Sequence, residues 1–149
     1  MLQMMLGRGT AGLPPAERID FPTLRLPTSP NAHLAAPPGV TNERHETVPL
    51  LPVPADLAWG VLRALGDGME RVWKMAEWPE ARQAQWVART RLMNYPDLIN
   101  AQIVEMPGGS GLFIYSRSLV GHSDLGVNAQ RVAAWRSAFD TALARARAR

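Results

Sequence analysis

The chain reads as one α+β domain, an antiparallel sheet with two helices on one face, preceded by a proline-rich arm. Three observations predict it. Ten of the thirteen prolines lie at or before Pro54, which excludes continuous helix or central strand from the first third. After Gly66 and Gly68 come four short runs rich in aromatic and β-branched residues, separated by turn residues. Two apolar stripes of helical period, one before these runs and one after, each supply a single face to bury. With 149 residues, 46% of them hydrophobic, the chain suits one core, because two would leave each half too small to bury enough apolar surface.

In chain order, residues 1–16 are expected as a flexible leader and residues 17–44 as an extended arm docked on the domain formed by residues 45–149. Phe21, Leu24 and Leu26 are spaced to dock the arm, and Thr28-Ser29-Pro30-Asn31 reads as a turn. His45–Val53 carries Val48, Leu50 and Leu51 between prolines, which suits an edge strand. Pro54 then opens a helix whose stripe is Leu57, Val61, Leu62 and Leu65, ending at Gly66 and Gly68. Four antiparallel strands follow over Val72–Trp78, Gln85–Met93, Ile99–Met106 and Leu112–Val120; their connections are too short for parallel crossovers. Asn128 caps a last helix with apolar positions Val132, Trp135, Phe139, Leu143 and Ala146. The order β-α-β-β-β-β-α, with both helices on one face, resembles a TATA-binding-protein-like or helix-grip layout, an analogy of topology that implies no function. Trp59, Trp73, Trp78, Trp86 and Trp135 read as packing residues.

Composition narrows the function classes. The net charge of +3 is concentrated at the C-terminal end, where residues 108–149 hold six arginines against Asp124 and Asp140. All basic residues except Lys74 are arginine. Without basic–aromatic interleaving or a basic recognition helix, nucleic acid is disfavoured as a partner. The absence of cysteine excludes disulfides and thiolate chemistry. His33, His45 and His122 lie far apart, with no acidic or histidine partner at metal-binding spacing. Neither a metal nor another cofactor is therefore expected. The apolar start, Met1 to Leu6, is shorter than a secretory core, and no run is long enough to span a bilayer. The expectation is a soluble domain of the bacterial cytoplasm or envelope.

The polar residues gather between the last strand and the last helix, over Ser116-Arg117-Ser118 and His122-Ser123-Asp124 to Asn128, with Arg131 one turn further. Backbone N–H groups at a helix start, with Arg117 or Arg131 beside them, would suit an anion. Ser116, Arg117, Ser118, His122, Asp124, Asn128 and Arg131 are accordingly the candidate ligand-binding residues, for an anionic small molecule or a protein partner. Equally, Asp124 and Asn128 can cap the helix while the serines bond nearby backbone. Arg89 and Arg91, alternating on one strand face near Tyr115 and Arg117, form a second basic face. An enzymatic alternative is hydrolase-like, with His122 as acid or base and Asp124 orienting it, although adjacent residues on one turn rarely reach that geometry.

Tyr115-Ser116-Arg117-Ser118, then Gly121-His122-Ser123-Asp124-Leu125-Gly126-Val127-Asn128 and Arg131, closely resemble the bacterial and plastid family called domain of unknown function 1499. The resemblance reaches back through Tyr95-Pro96-Asp97 and Ser29-Pro30-Asn31, covering roughly Ile19 to Leu143. Ala32 stands where many relatives have a cysteine, and Pro96-Asp97 where many have paired acids. The resemblance implies no activity, since the family has none established. Together with the residue reading it points to a non-catalytic binding or scaffolding domain.

Overall fold

The computed structural model describes residues 2–149. In chain order the elements are α1 (Leu2–Leu6), β1 (Ala32–Ala36), β2 (Glu46–Thr47), α2 (Ala55–Gly68), β3 (Val72–Trp78), β4 (Gln83–Arg89), β5 (Pro96–Met106), β6 (Gly109–Ser118) and α3 (Val127–Arg147). The fold is α+β, with a six-stranded sheet ordered β2-β1-β6-β5-β4-β3. From β1 through β3 all neighbours are antiparallel. At the edge, β2 pairs with β1 in parallel, through Ala35↔Glu46 and Ala36↔Thr47. The sheet is therefore mixed, not antiparallel, and the expected β-α-β-β-β-β-α order gains a strand and a short first helix.

The added strand comes from the arm. Ala32–Ala36 is a five-residue run between Pro30 and Pro37, and its pairing with β6 joins residues about eighty positions apart, which local pattern does not encode. Conversely, the strand expected over His45–Val53 shrinks to Glu46–Thr47 plus a bridge between Leu51 and Ser110. Pro49 and Pro52 have no N–H to give a ladder. The expected strand Gln85–Met93 is shifted: β4 begins at Gln83 and ends at Arg89, leaving Arg91 to Met93 in the turn.

Alternation along the strands sends Ala84, Trp86, Ile99, Ala101, Ile103, Leu112 and Ile114 to one face, where they join one cluster with Ala58, Trp59 and Leu62 of α2 and Val132, Trp135, Phe139 and Leu143 of α3. Both helices thus cover the same face of the sheet. At its centre Trp86 meets Trp135 edge-on, ring centroids 5.3 Å apart, a favoured aromatic geometry. On the other face Phe21, stacked on Phe113 at 4.6 Å, anchors the arm over Leu34, Ala36 and Tyr115.

Of the stripe expected in α2, Leu62 is buried and Val61 and Leu65 pack half-buried against the core, but smaller residues share the inward face. Ala55, Ala58, Trp59, Leu62 and Gly66 face inward, while Leu57 is exposed. Pro54 precedes the helix as its cap residue. Small residues let the helix approach the sheet closely, and Gly66, expected as a terminator, is a packing residue inside the helix. A Cβ there would lie 2.3 Å from the Trp86 ring. Trp86 Nε1 donates to Asp67 Oδ1 next door, at 3.1 Å, which fixes the indole against the helix.

These contacts give opposite signs for two glycine substitutions in one helix. Gly66→Ala should lower stability by about 1–3 kcal/mol through overpacking. Gly60→Ala, with nothing within 4 Å of the added methyl, should raise it by about 0.5–1 kcal/mol through helix propensity. Urea midpoints measure both; equal effects would contradict the packing described.

Candidate functional site

At the sheet end where α3 begins, alternation turns Asp97 of β5 and Ser116 of β6 toward the helices, side by side through the register Asp97↔Ser118 and Ile99↔Ser116. The first two turns of α3 cover them. Arg131 Nη1 donates to Asp97 Oδ2 at 2.7 Å and to Asn128 Oδ1 at 3.1 Å. Ser116 Oγ donates to the same amide oxygen at 2.5 Å. Asn128 Nδ2 lies within bonding distance of three oxygens: Asn31 O (3.0 Å), Ser118 Oγ (2.9 Å) and Asp124 Oδ2 (2.7 Å). One fully buried asparagine therefore joins the arm, β6, the loop and α3.

The loop is held from both sides. Ser118 N donates to Asn31 O, and Asn31 Nδ2 reaches across to Gly121 O, at 2.9 Å each. Asp124 accepts from Gly126 N at 2.8 Å and from Asn128 N at 3.1 Å. The N-cap residue of α3 is thus Gly126, at φ 86°, with the capping carboxylate supplied by Asp124 two residues before it, and Asn128 lies inside the first turn rather than capping it. The carboxylate already satisfies N–H groups that an incoming anion was expected to use.

Two carboxylates in this network are pushed in opposite directions. Burial raises the Asp97 carboxyl above its ordinary range, a shift that Arg131 and a hydrogen bond from Ser118 oppose without cancelling. For Asp124 burial also acts upward, but the Asn128 amides and the Gly126 N–H outweigh it and hold the group below its ordinary range. With side-chain exposures of 3% for Asp97 and 14% for Arg131, the pair is a buried one. Removing one partner strands the other's charge.

The remaining candidates are placed differently. Arg117 points to the arm face with Tyr115, so it and Arg131 do not converge. His122 is exposed and has no hydrogen-bond partner among the described residues; both Asp124 oxygens serve amides instead. Arg89 and Arg91 part company. Arg89 is buried, donating to carbonyls of Met4, Gly9 and Ala11, whereas exposed Arg91 pairs with Glu70. Sequence reasoning missed Asp97 and Asn31 as functional partners, although both lie in the Pro-Asp and Pro-Asn pairs that carried the resemblance. Among the described residues no group of three histidine or acidic side chains is placed to hold a metal, and no helix is long and apolar enough to cross a membrane.

The first turn of α3 separates two clefts. One, of about 350 Å3, carries Arg71, Arg89, Arg91 and Arg131 with Glu70 and Gln130, among apolar residues that include Met69, Val72 and Trp135. The other, of about 300 Å3, is walled mainly by Tyr95, Val120, Leu125 and Val127 above Asp97 and Asp124. Val127 lines both.

Fold and site together define an α+β domain in which a buried Asp–Arg pair and an asparagine hub fix a strand-to-helix loop. The family model for a protein of unknown function, DUF1499, matches residues 25–139, and the chain belongs to that family. A comparison with curated proteins found no match. The matched span contains the whole network, from Asn31 to Arg131.

If the network fixes the loop, Arg131→Ala should cost about 3–5 kcal/mol by leaving Asp97 buried without its partner, read from denaturant unfolding; a loss within about 0.5 kcal/mol, typical of an ordinary surface change, would contradict it. Asp124→Ala should cost about 0.5–2 kcal/mol as a lost cap. Because the folded Asp124 is held below its unfolded value of about 3.9, its contribution is fully present above that pH and lost as pH falls through the folded value. The gap between wild type and Asp124→Ala should close in acid, and a gap independent of pH would contradict the assignment.

Proposed function

We propose that the protein is a non-catalytic binding domain whose 119–126 loop and flanking clefts take a partner carrying an anionic group beside an apolar one. The observation that carries this reading is the pair of clefts on either side of the first turn of α3, one basic and one apolar. Arginine is suited to carboxylate and phosphate groups, and the apolar wall offers burial to whatever is attached to them.

Leu125 supports the reading. It sits at φ 53°, a left-handed conformation that is a genuine cost for a bulky residue, while its side chain is exposed. Such strain persists only where the surroundings impose it, and it concentrates at ligand clamps and switch segments. Here the imposing groups are Asp124 and Asn128. The hydrolase-like alternative draws no comparable support, because His122 and Asp124 do not meet.

Titrating the 15N-labelled protein with inorganic phosphate, sulfate and acetate tests the reading. Amide shifts should concentrate at residues 69–71, 90–95 and 119–131. Shifts scattered over the surface, or none, would contradict it.

A further inference from the structure

Several turns meet at one end of the sheet. The register Val72↔Ala88, Ala88↔Asp97 and Asp97↔Ser118 puts the α2–β3 connection, the β4–β5 turn and the β6–α3 loop at that end. Helix α1 joins them, because Asn94 Nδ2 in the β4–β5 turn donates to Met5 O at 2.6 Å and to Gly7 O at 2.8 Å. Gly9 lies against the Trp73 ring.

Among the described residues, six of the eight large exposed apolar side chains lie at this end: Leu92 at 92% exposure, Leu125 at 90%, Leu6 at 73%, Leu2 at 68%, Met93 at 47% and, in the first residues of β3, Trp73 at 37%. Single exposed apolar residues are ordinary, but a gathering of them marks a contact surface. Charge gathers there too. Arg8, Arg71, Arg89, Arg91, Arg117 and Arg131 stand at this end against Glu70, Asp97 and Asp124, a surplus of three positive charges equal to the net charge of the whole chain. The rest of the molecule is neutral in sum.

The shape of the apolar set decides what it fits. A side chain nine-tenths exposed protrudes, and Leu92 and Leu125 protrude from separate turns, Leu92 from the β4–β5 turn whose Thr90 and Tyr95 line the apolar cleft and Leu125 from the loop that walls it. Projecting leucines with arginines around them suit a soft, negatively charged medium better than the flat, close-packed core of a protein interface. Trp73, with Arg71 6.0 Å from its ring centroid, has the apolar body and polar tip that favour a membrane–water boundary.

We infer that this end of the molecule docks on an anionic lipid surface, with Leu92 and Leu125 entering the acyl boundary and Arg8 and Arg91 among the headgroups. The inference rests on the binding-domain reading above and names its partner. The basic cleft receives a headgroup phosphate while the apolar cleft and the leucines follow the chains. Arg91 is free to do this because its pair with Glu70 is exposed on both sides and so contributes little.

Co-sedimentation of the full chain with vesicles provides the test. Vesicles of phosphatidylcholine mixed with phosphatidylglycerol should pellet the protein, vesicles of phosphatidylcholine alone should not, and added salt should weaken the binding. Leu92→Asn with Leu125→Asn should reduce binding at least about tenfold; asparagine tolerates the left-handed backbone at 125. Arg8→Gln and Arg91→Gln should each reduce it about fivefold. All four positions are exposed, so urea midpoints should not fall, and relief of the left-handed backbone at 125 should if anything raise that of the leucine variant, which separates lost binding from lost folding. No pelleting, equal pelleting on both vesicle types, or undiminished pelleting of the leucine variant would overturn the inference. So would a wild-type dimer in light scattering that the leucine substitutions dissociate without altering pelleting, since the apolar end would then pack on a second copy. If phosphate shifts the loop amides and vesicles do not pellet the chain, the lipid inference falls and the binding-domain reading stands. If neither occurs, both fall.

Discussion

A carboxylate and a guanidinium taken out of water together set the conditions for the rest of this fold. Asp97 and Arg131 are desolvated, and the cost of burying two charges is recovered only when geometry is good and their other hydrogen-bonding groups are met. Asn128, Ser116 and Ser118 supply those partners. Because Asn128 must also satisfy its own amide, it recruits the carbonyl of Asn31 and the carboxylate of Asp124. One ion pair thereby dictates where the arm lies, how the loop turns and where α3 starts. Among the described residues no buried side-chain nitrogen or oxygen is left without a partner, as such a network requires.

The opposite face follows the same rule with different groups. Gln83, Gln85 and Asn100 are buried there, and they bond the backbone of Glu17 and Ile19 in the arm. Arg89 is surrounded by main-chain carbonyls instead of a carboxylate, and burial beside Arg71 lowers its pKa. The first residues are thus held by contacts to backbone, which are indifferent to side-chain identity. Nothing in their composition announces the attachment, and a short apolar run broken at once by Gly7, Gly9 and Gly12 at the chain terminus reads as a leader.

What the sequence made legible was local. Val72–Trp78 spans the same residues as β3, and the stripe Val132, Trp135, Phe139 and Leu143 is the buried face of α3. The cluster from Ser116 to Arg131 was visible as a polar segment, and five of its members, Ser116, Ser118, Asp124, Asn128 and Arg131, do meet. What stayed hidden was non-local. The parallel β1–β2 pair depends on a loop of unpredictable course, and β1 is flanked by prolines that argue against a strand. In α2 Gly66 is buried because the Trp86 ring needs the space, a fact about the partner surface that helical periodicity does not contain. Asp97 looked like part of a turn; only the register beside Ser118 places it under Arg131.

The claim that this network fixes the strand-to-helix loop is tested most directly by native-state hydrogen exchange at four amides: Ser118, Gly126, Asn128 and Val132. If the ion pair and the asparagine hub hold the loop to the core, the first three should exchange only through openings as costly as that of Val132 in the buried face of α3, rising and falling together with denaturant. Exchange of Gly126 and Asn128 through small local openings, insensitive to denaturant while Val132 stays protected, would show a loop that moves independently of the network and would contradict the account.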